Sequence, residues 1–153
     1  MSASLLLKRS IQIMTIKDIY ESGHTFSRSE LLDIAKAQIA AIKRGVRWDE
    51  NGANNYIDNI FLTYAIADDD PSFTKYEFYN ACGANHRKRD YTSFVEETRR
   101  CKRIDFISVI ADHFHEESKE VRLAVCALAS VICVCDGRVN AYERAYLGRI
   151  MML

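Results

Sequence analysis

Twelve residues of this chain occur twice, and the repetition limits its fold before composition is considered. IADDDPSFTKYE, residues Ile66 to Glu77, returns as ICVCDGRVNAYE, residues Ile132 to Glu143. A shift of 66 positions lays Ile66 on Ile132, Asp70 on Asp136, Tyr76 on Tyr142 and Glu77 on Glu143, with Phe73 meeting Val139 and Thr74 meeting Asn140. Roughly one identity is expected by chance, so four indicate an internal duplication. In each copy an apolar run ends in an acid, a short turn follows, and a new helix opens with Glu.

The sequence around the two copies reads as helix. One proline and six glycines in 153 residues give few breaks. Ser27 and Glu30 have capping-box spacing, and Leu31, Ile34, Ala35, Ile39 and Ile42 then recur at helical intervals until Gly45. Trp48 to Asn54 reads as a polar connection pinned to the core by its one large aromatic. Ile57, Ile60, Phe61, Tyr64, Ala65 and Ile66 form a wide apolar face that runs into Asp68, Asp69 and Asp70, where Pro71 stops it. Thr74 with Glu77, and Ser93 with Glu96, repeat the capping-box spacing. Ile104 to Phe114 reads as a further helix, and Ser118 caps the one that follows. Val121 to Cys135 is apolar nearly all round, which predicts a central helix enclosed by the others and ended by Asp136-Gly137. Asn140 and Glu143 open a last helix. Nothing alternates with period two for long, so the expectation is one all-α domain over residues 1–153, a bundle of seven or eight helices with an extension over 1–25.

Charge and cysteine content narrow the function classes. The 21 basic and 21 acidic residues balance, so no overall field recruits nucleic acid or a membrane. Five cysteines are an odd number, and Cys126, Cys133 and Cys135 sit in an apolar run where free thiols act as small core residues, as expected in a reducing, cytoplasmic setting. No apolar stretch reaches the roughly 18 residues of a membrane span, and MSASLLLKRSIQIM has too short an apolar core for a signal peptide.

The duplicated turn has a chemical peculiarity. Unpaired carbonyls make a helix C-terminus partially negative, and a carboxylate there is disfavoured by about 0.3–1 kcal/mol. Both copies place one there, and the first places three. A hard divalent cation such as Ca²⁺ or Mg²⁺ reverses those penalties, because it takes carboxylates and free carbonyls as ligands. Turn and cap chemistry alone also accounts for the residues, since Asp bonds its own backbone in turns and Glu77 and Glu143 suit capping boxes. An EF-hand is excluded: the twelfth position from Asp68 is Tyr79 where Glu is required, and the third from Asp136 is Arg138.

An acid, often followed by glycine, then an apolar residue and a Glu opening the next helix, occurring twice in about 150 residues, resembles the TerB-like family. The likeness spans Asn55 to Ile150 and is strongest over CDGRVNAYE. It implies a compact helical domain of bacterial stress and tellurite resistance, similar also to the N-terminal part of the co-chaperone DjlA, that is not an enzyme and has an acidic metal site. Carried onto this chain, that site is Asp70, Glu77, Asp136 and Glu143, with Pro71 standing where the family has glycine.

Two further groups compete with it. His113, Glu116 and Glu117 share a helical face at a spacing that suits zinc with a fourth ligand, or else form a solvated surface. From Asn85 to Arg103 seven Lys or Arg face three acids, with Tyr91 and Phe94 interleaved. Arg87, Lys88, Arg89, Arg99, Arg100 and Arg103 offer an acidic protein partner, or less readily a nucleic acid, a basic surface. The competing reading is an ordinary solvated helix with Glu97 pairing Arg100. No phosphate loop, nucleophile elbow or catalytic Cys/His pair is present, which argues against an enzyme.

Overall fold

Where a serine or aspartate side chain accepts the first unpaired amide hydrogens, a helix begins, and this rule sets the framework. The computed structural model describes residues 26–66, 72–101 and 112–137. They form five helices, α1 Arg28–Gly45, α2 Glu50–Ile66, α3 Phe73–Ala81, α4 Tyr91–Cys101 and α5 Lys119–Val134, and no strand occurs among the described residues. The chain is all-α in these segments, as expected. The extension over 1–25, the DDDP turn, most of the Ile104 to Phe114 segment and the last helix lie outside the described residues.

The cap of α1 is as predicted. Ser27 Oγ accepts from the Glu30 amide at 3.1 Å and Glu30 Oε1 accepts from the Ser27 amide at 3.0 Å. Leu31, Ile34, Ala35, Ile39 and Ile42 are buried, and Lys43 and Arg44 in the last turn complement the helix dipole. Ser118 likewise caps α5, accepting from the Val121 amide.

Three other starts differ from the sequence reading. α2 begins at Glu50, so the polar residues up to Asn54 are its first turns; Asp49 Oδ1 accepts from the Gly52 amide at 2.8 Å and replaces the expected loop. α3 is capped by Ser72, which accepts from the Lys75 amide at 3.1 Å, and Thr74 is an exposed residue inside the helix. α4 is capped by Asp90, which accepts from the Ser93 amide at 2.7 Å and whose carboxyl is thereby held below its usual range. In both cases a nearer acceptor took the N-cap position, and one such acceptor suffices without the Glu three residues on.

Two helices are enclosed. In α5, Val121 and every residue from Ala124 to Val134 is buried, which matches the expected central helix. Residues 60–65 of α2 are buried on all sides as well, so α2 shares the centre. The hydroxyls of Thr63 and Ser130, buried there, each donate to a carbonyl one turn back in their own helix, at 2.7 and 2.9 Å, which satisfies them without breaking the apolar packing. Burial pushes the Cys126 thiol up to about 11 and that of Cys82 up to about 12, so both remain neutral core residues. Gly137, at φ 78°, ends α5 with its amide donating to the Val134 carbonyl at 3.0 Å.

α5 packs most extensively against α1, and a glycine makes the closest approach possible. A Cβ on Gly45 would stand 2.3 Å from Val121 Cγ2. Val121 is fully buried and has one preferred helical rotamer, so its methyl has nowhere to turn. Gly45→Ala is therefore expected to lose about 1–3 kcal/mol to overpacking against about 1 kcal/mol gained in helix propensity. Thermal melts should show a lower Tm, restored when Val121→Ala is added; an unchanged Tm in the single variant would show that the contact relaxes freely.

Candidate functional site

The end of α5 meets the start of α3. Asp136, the acid of the second copy, lies just past the end of α5, and Ser72 and Lys75 of the first copy open α3. Ser72 Oγ donates to Asp136 Oδ2 at 3.3 Å, and Lys75 Nζ stands 3.9 Å from the same oxygen. The Lys75 side chain is 1% exposed and that of Asp136 is 9% exposed. Lys75 shares its helical face with Phe78 and Tyr79, both buried, so the helix that packs these rings carries the ammonium inward with them. A buried ammonium beside a helix-end carboxylate supplies the positive charge that the sequence suggested an ion would supply.

The other three expected ligands are placed differently. Glu77 is partly exposed and accepts from Arg28 at 3.5 Å across the start of α1, and it does not cap α3. Asp70 and Glu143 lie outside the described residues. Of the four carboxylates, then, the structure places Asp136 against the first turn and Glu77 on the rim, and Ser72 and Lys75 are contributors that the sequence reading missed.

The basic segment folds back on the protein. Both oxygens of the Asp58 carboxylate accept from Arg89 Nη1, at 3.0 and 2.9 Å, with both side chains about 10% exposed or less. Tyr79 donates its hydroxyl hydrogen to Asp58 Oδ1 and accepts from Arg89 Nη1 at 3.0 Å. Burial first, then the hydrogen bond and charge of Asp58, push the Tyr79 phenol well above its usual range, and Arg89 opposes this without reversing it. Tyr79 thus stays protonated as a donor. The guanidinium loses to burial but gains more from Asp58 and Tyr79, so its pKa rises and its charge is fixed. Its Nη2 also stands 3.9 Å from Glu97 on α4, which pairs with Arg100 as expected.

The loop that delivers Arg89 is built for the purpose. Asn85 accepts from the Arg89 amide at 2.8 Å and donates to the Arg89 carbonyl at 2.6 Å, and Tyr76 donates to that carbonyl at 2.7 Å. Lys88, next to it, adopts φ 55°, a left-handed conformation uncommon for a side-chain-bearing residue. Arg87 donates to Asn55 on α2 at 3.1 Å. Arg89 is therefore held inward, while Arg87 and Arg100, though each bonded to a neighbour, stay exposed like Lys88 and Arg99. The network ties α2, α3 and α4 together. Asp58 was a signal that the sequence carried, a single acid between Tyr56 and Ala65 where all else is apolar or uncharged.

Compared with known proteins, the chain matches no family model, no curated protein and no solved structure. No helix among the described residues is long and apolar enough to cross a membrane.

Proposed function

We propose that this chain is a non-catalytic helical binding domain of the TerB-like kind, in which two related helix-turn-helix units bring their acidic turns together to hold a hard divalent cation. The observation that carries the reading is the contact of Asp136 with Ser72 and Lys75, which makes neighbours of the two copies. Asp136 and Glu77, with Asp70 and Glu143, are the proposed ligands. The exposed Arg28 pair on Glu77 is of a kind that contributes little and is readily exchanged.

Lys75 sets the strength of that binding. Its ammonium already offsets part of the charge on Asp136, so an added ion gains less than it would from a bare carboxylate set. Affinity falls as the net negative charge of the ligand set falls, and a dissociation constant on the order of 10⁻⁴ to 10⁻³ M is expected. Protein stripped with chelator should therefore melt several degrees higher in excess Ca²⁺ or Mg²⁺, by the free energy RT ln(1 + [L]/Kd). The shift should vanish in Asp136→Asn. A melting temperature indifferent to millimolar Ca²⁺, Mg²⁺, Mn²⁺ and Zn²⁺ would reject the reading and leave the acids as turn and ion-pair residues.

A further inference from the structure

Three aromatic rings meet at nearly right angles on the side of the molecule formed by the α1–α2 connection and the turn before α5. The Trp48 and Tyr56 ring centres are 5.0 Å apart at 89°, those of Trp48 and His113 5.0 Å apart at 76°, and those of Tyr56 and His113 6.3 Å apart at 86°. All three rings border one cavity of about 270 Å³, lined also, among the described residues, by Gly52, Asn55 and Asn59. Tyr56 is buried, Trp48 half-buried and His113 exposed, so the cavity opens outward. The Tyr56 hydroxyl is buried with no hydrogen-bond partner among the described residues.

Packing alone explains why Trp48 is anchored, but leaves two features over. The first is residue 52, where a Cβ would stand 3.2 Å from both Trp48 Cβ and the Asp49 Oδ1 that caps α2. The second is charge. Among the described residues, a second cleft of about 530 Å³ beside Trp48 is lined by Glu116, Glu117 and Arg47, while Arg87 reaches the wall of the aromatic cavity by donating to Asn55 at 3.1 Å. The field of Glu117 reaches the aromatic group, since after burial it is the next cause of the raised Tyr56 phenol pKa. His113 and Glu117, which the sequence offered as zinc ligands, thus serve this corner in another way, the one as a ring and the other as a charge.

Aromatic faces are electron-rich, and perpendicular rings around a small space present several faces to one guest. The field of Glu117 at Tyr56 favours a cation over a neutral guest, and a cavity below the usual size for a drug-like ligand suits a single head group. We propose that the cavity bordered by Trp48, Tyr56 and His113 binds a quaternary or methylated ammonium group.

Trp48 is the only tryptophan of the chain, so its fluorescence reports on the cavity directly. Titration with tetramethylammonium or choline, at ionic strength held constant with NaCl, should give a saturable change with a dissociation constant on the order of 1 mM. The uncharged choline analogue 3,3-dimethylbutan-1-ol should bind at least about tenfold more weakly. His113→Ala, a change at an exposed residue that leaves the reporter in place, should weaken choline binding severalfold. Glu117→Gln should weaken it by about twofold. Absence of a saturable change, equal binding of the uncharged analogue, or full binding by His113→Ala would each overturn the proposal.

Discussion

Asp58→Ala should lower the free energy of unfolding by about 3–5 kcal/mol, the range seen when one partner of a buried ion pair is removed. Two groups lose their main partner in the change. Arg89 loses the carboxylate that holds Nη1 at 2.9–3.0 Å, and the buried Tyr79 hydroxyl loses its acceptor. For a protein whose whole stability is of the order of 5–15 kcal/mol, that is a large fraction. Because the guanidinium also ties Asp58 to α3 and α4, the loss should be cooperative, with the urea midpoint moving and the slope preserved. Adding Arg89→Met to Asp58→Ala removes the guanidinium charge and should recover part of the loss, so that the two single effects do not add. Urea unfolding followed by circular dichroism decides the matter. A loss below about 1 kcal/mol in the single variant would mean that water replaces the carboxylate and that the network does not join the helices.

Asp136→Asn is expected to destabilise the metal-free protein by about 3 kcal/mol, a drop in Tm on the order of 10 °C. The sequence alone predicts the opposite sign. A carboxylate at a helix C-terminus is unfavourable, and its neutralisation should leave stability equal or slightly higher. What reverses the sign is Lys75, which the fold buries against that carboxylate. An unfavourable dipole interaction of less than about 1 kcal/mol is outweighed by weakening the charge that Asp136 offers to the buried Lys75 ammonium. Lys75→Met in the same background should restore stability by removing the second charge. Calorimetry in chelator reads the outcome, and an Asp136→Asn protein as stable as wild type would show that Lys75 does not depend on this partner.

Local signals were legible where one residue decides the outcome. Ser27 and Ser118 were readable as caps because each directly precedes a run of helical periodicity, and the apolar surface of α5 was readable because its residues are buried all round. The true starts of α3 and α4 were hidden by better-looking patterns just downstream. Thr74-Glu77 and Ser93-Glu96 match the capping box, yet Ser72 and Asp90 reach the free amides first. Relations between distant residues were the least legible. Nothing local marks Lys75 as buried except its register with Phe78 and Tyr79, and nothing local pairs Asp58 with a residue 31 positions later. The basic character of residues 85–103 was read correctly, but a charge count does not say which way an arginine turns.

The packing of α5 on α1 has a consequence for how the chain is made. Synthesis runs from the N-terminus, and α1 emerges long before the helix that covers its apolar face. Gly45 and Val121, the point of closest approach, are 76 positions apart, by subtraction of their numbers. At about 5–20 residues per second the ribosome leaves Leu31, Ile34, Ile39 and Ile42 without their main cover for several seconds. During that interval α1 can meet other apolar surfaces, its own neighbours or those of another chain. The cap at Ser27 and the cations at Lys43 and Arg44 favour helix in the waiting segment before its apolar face is covered.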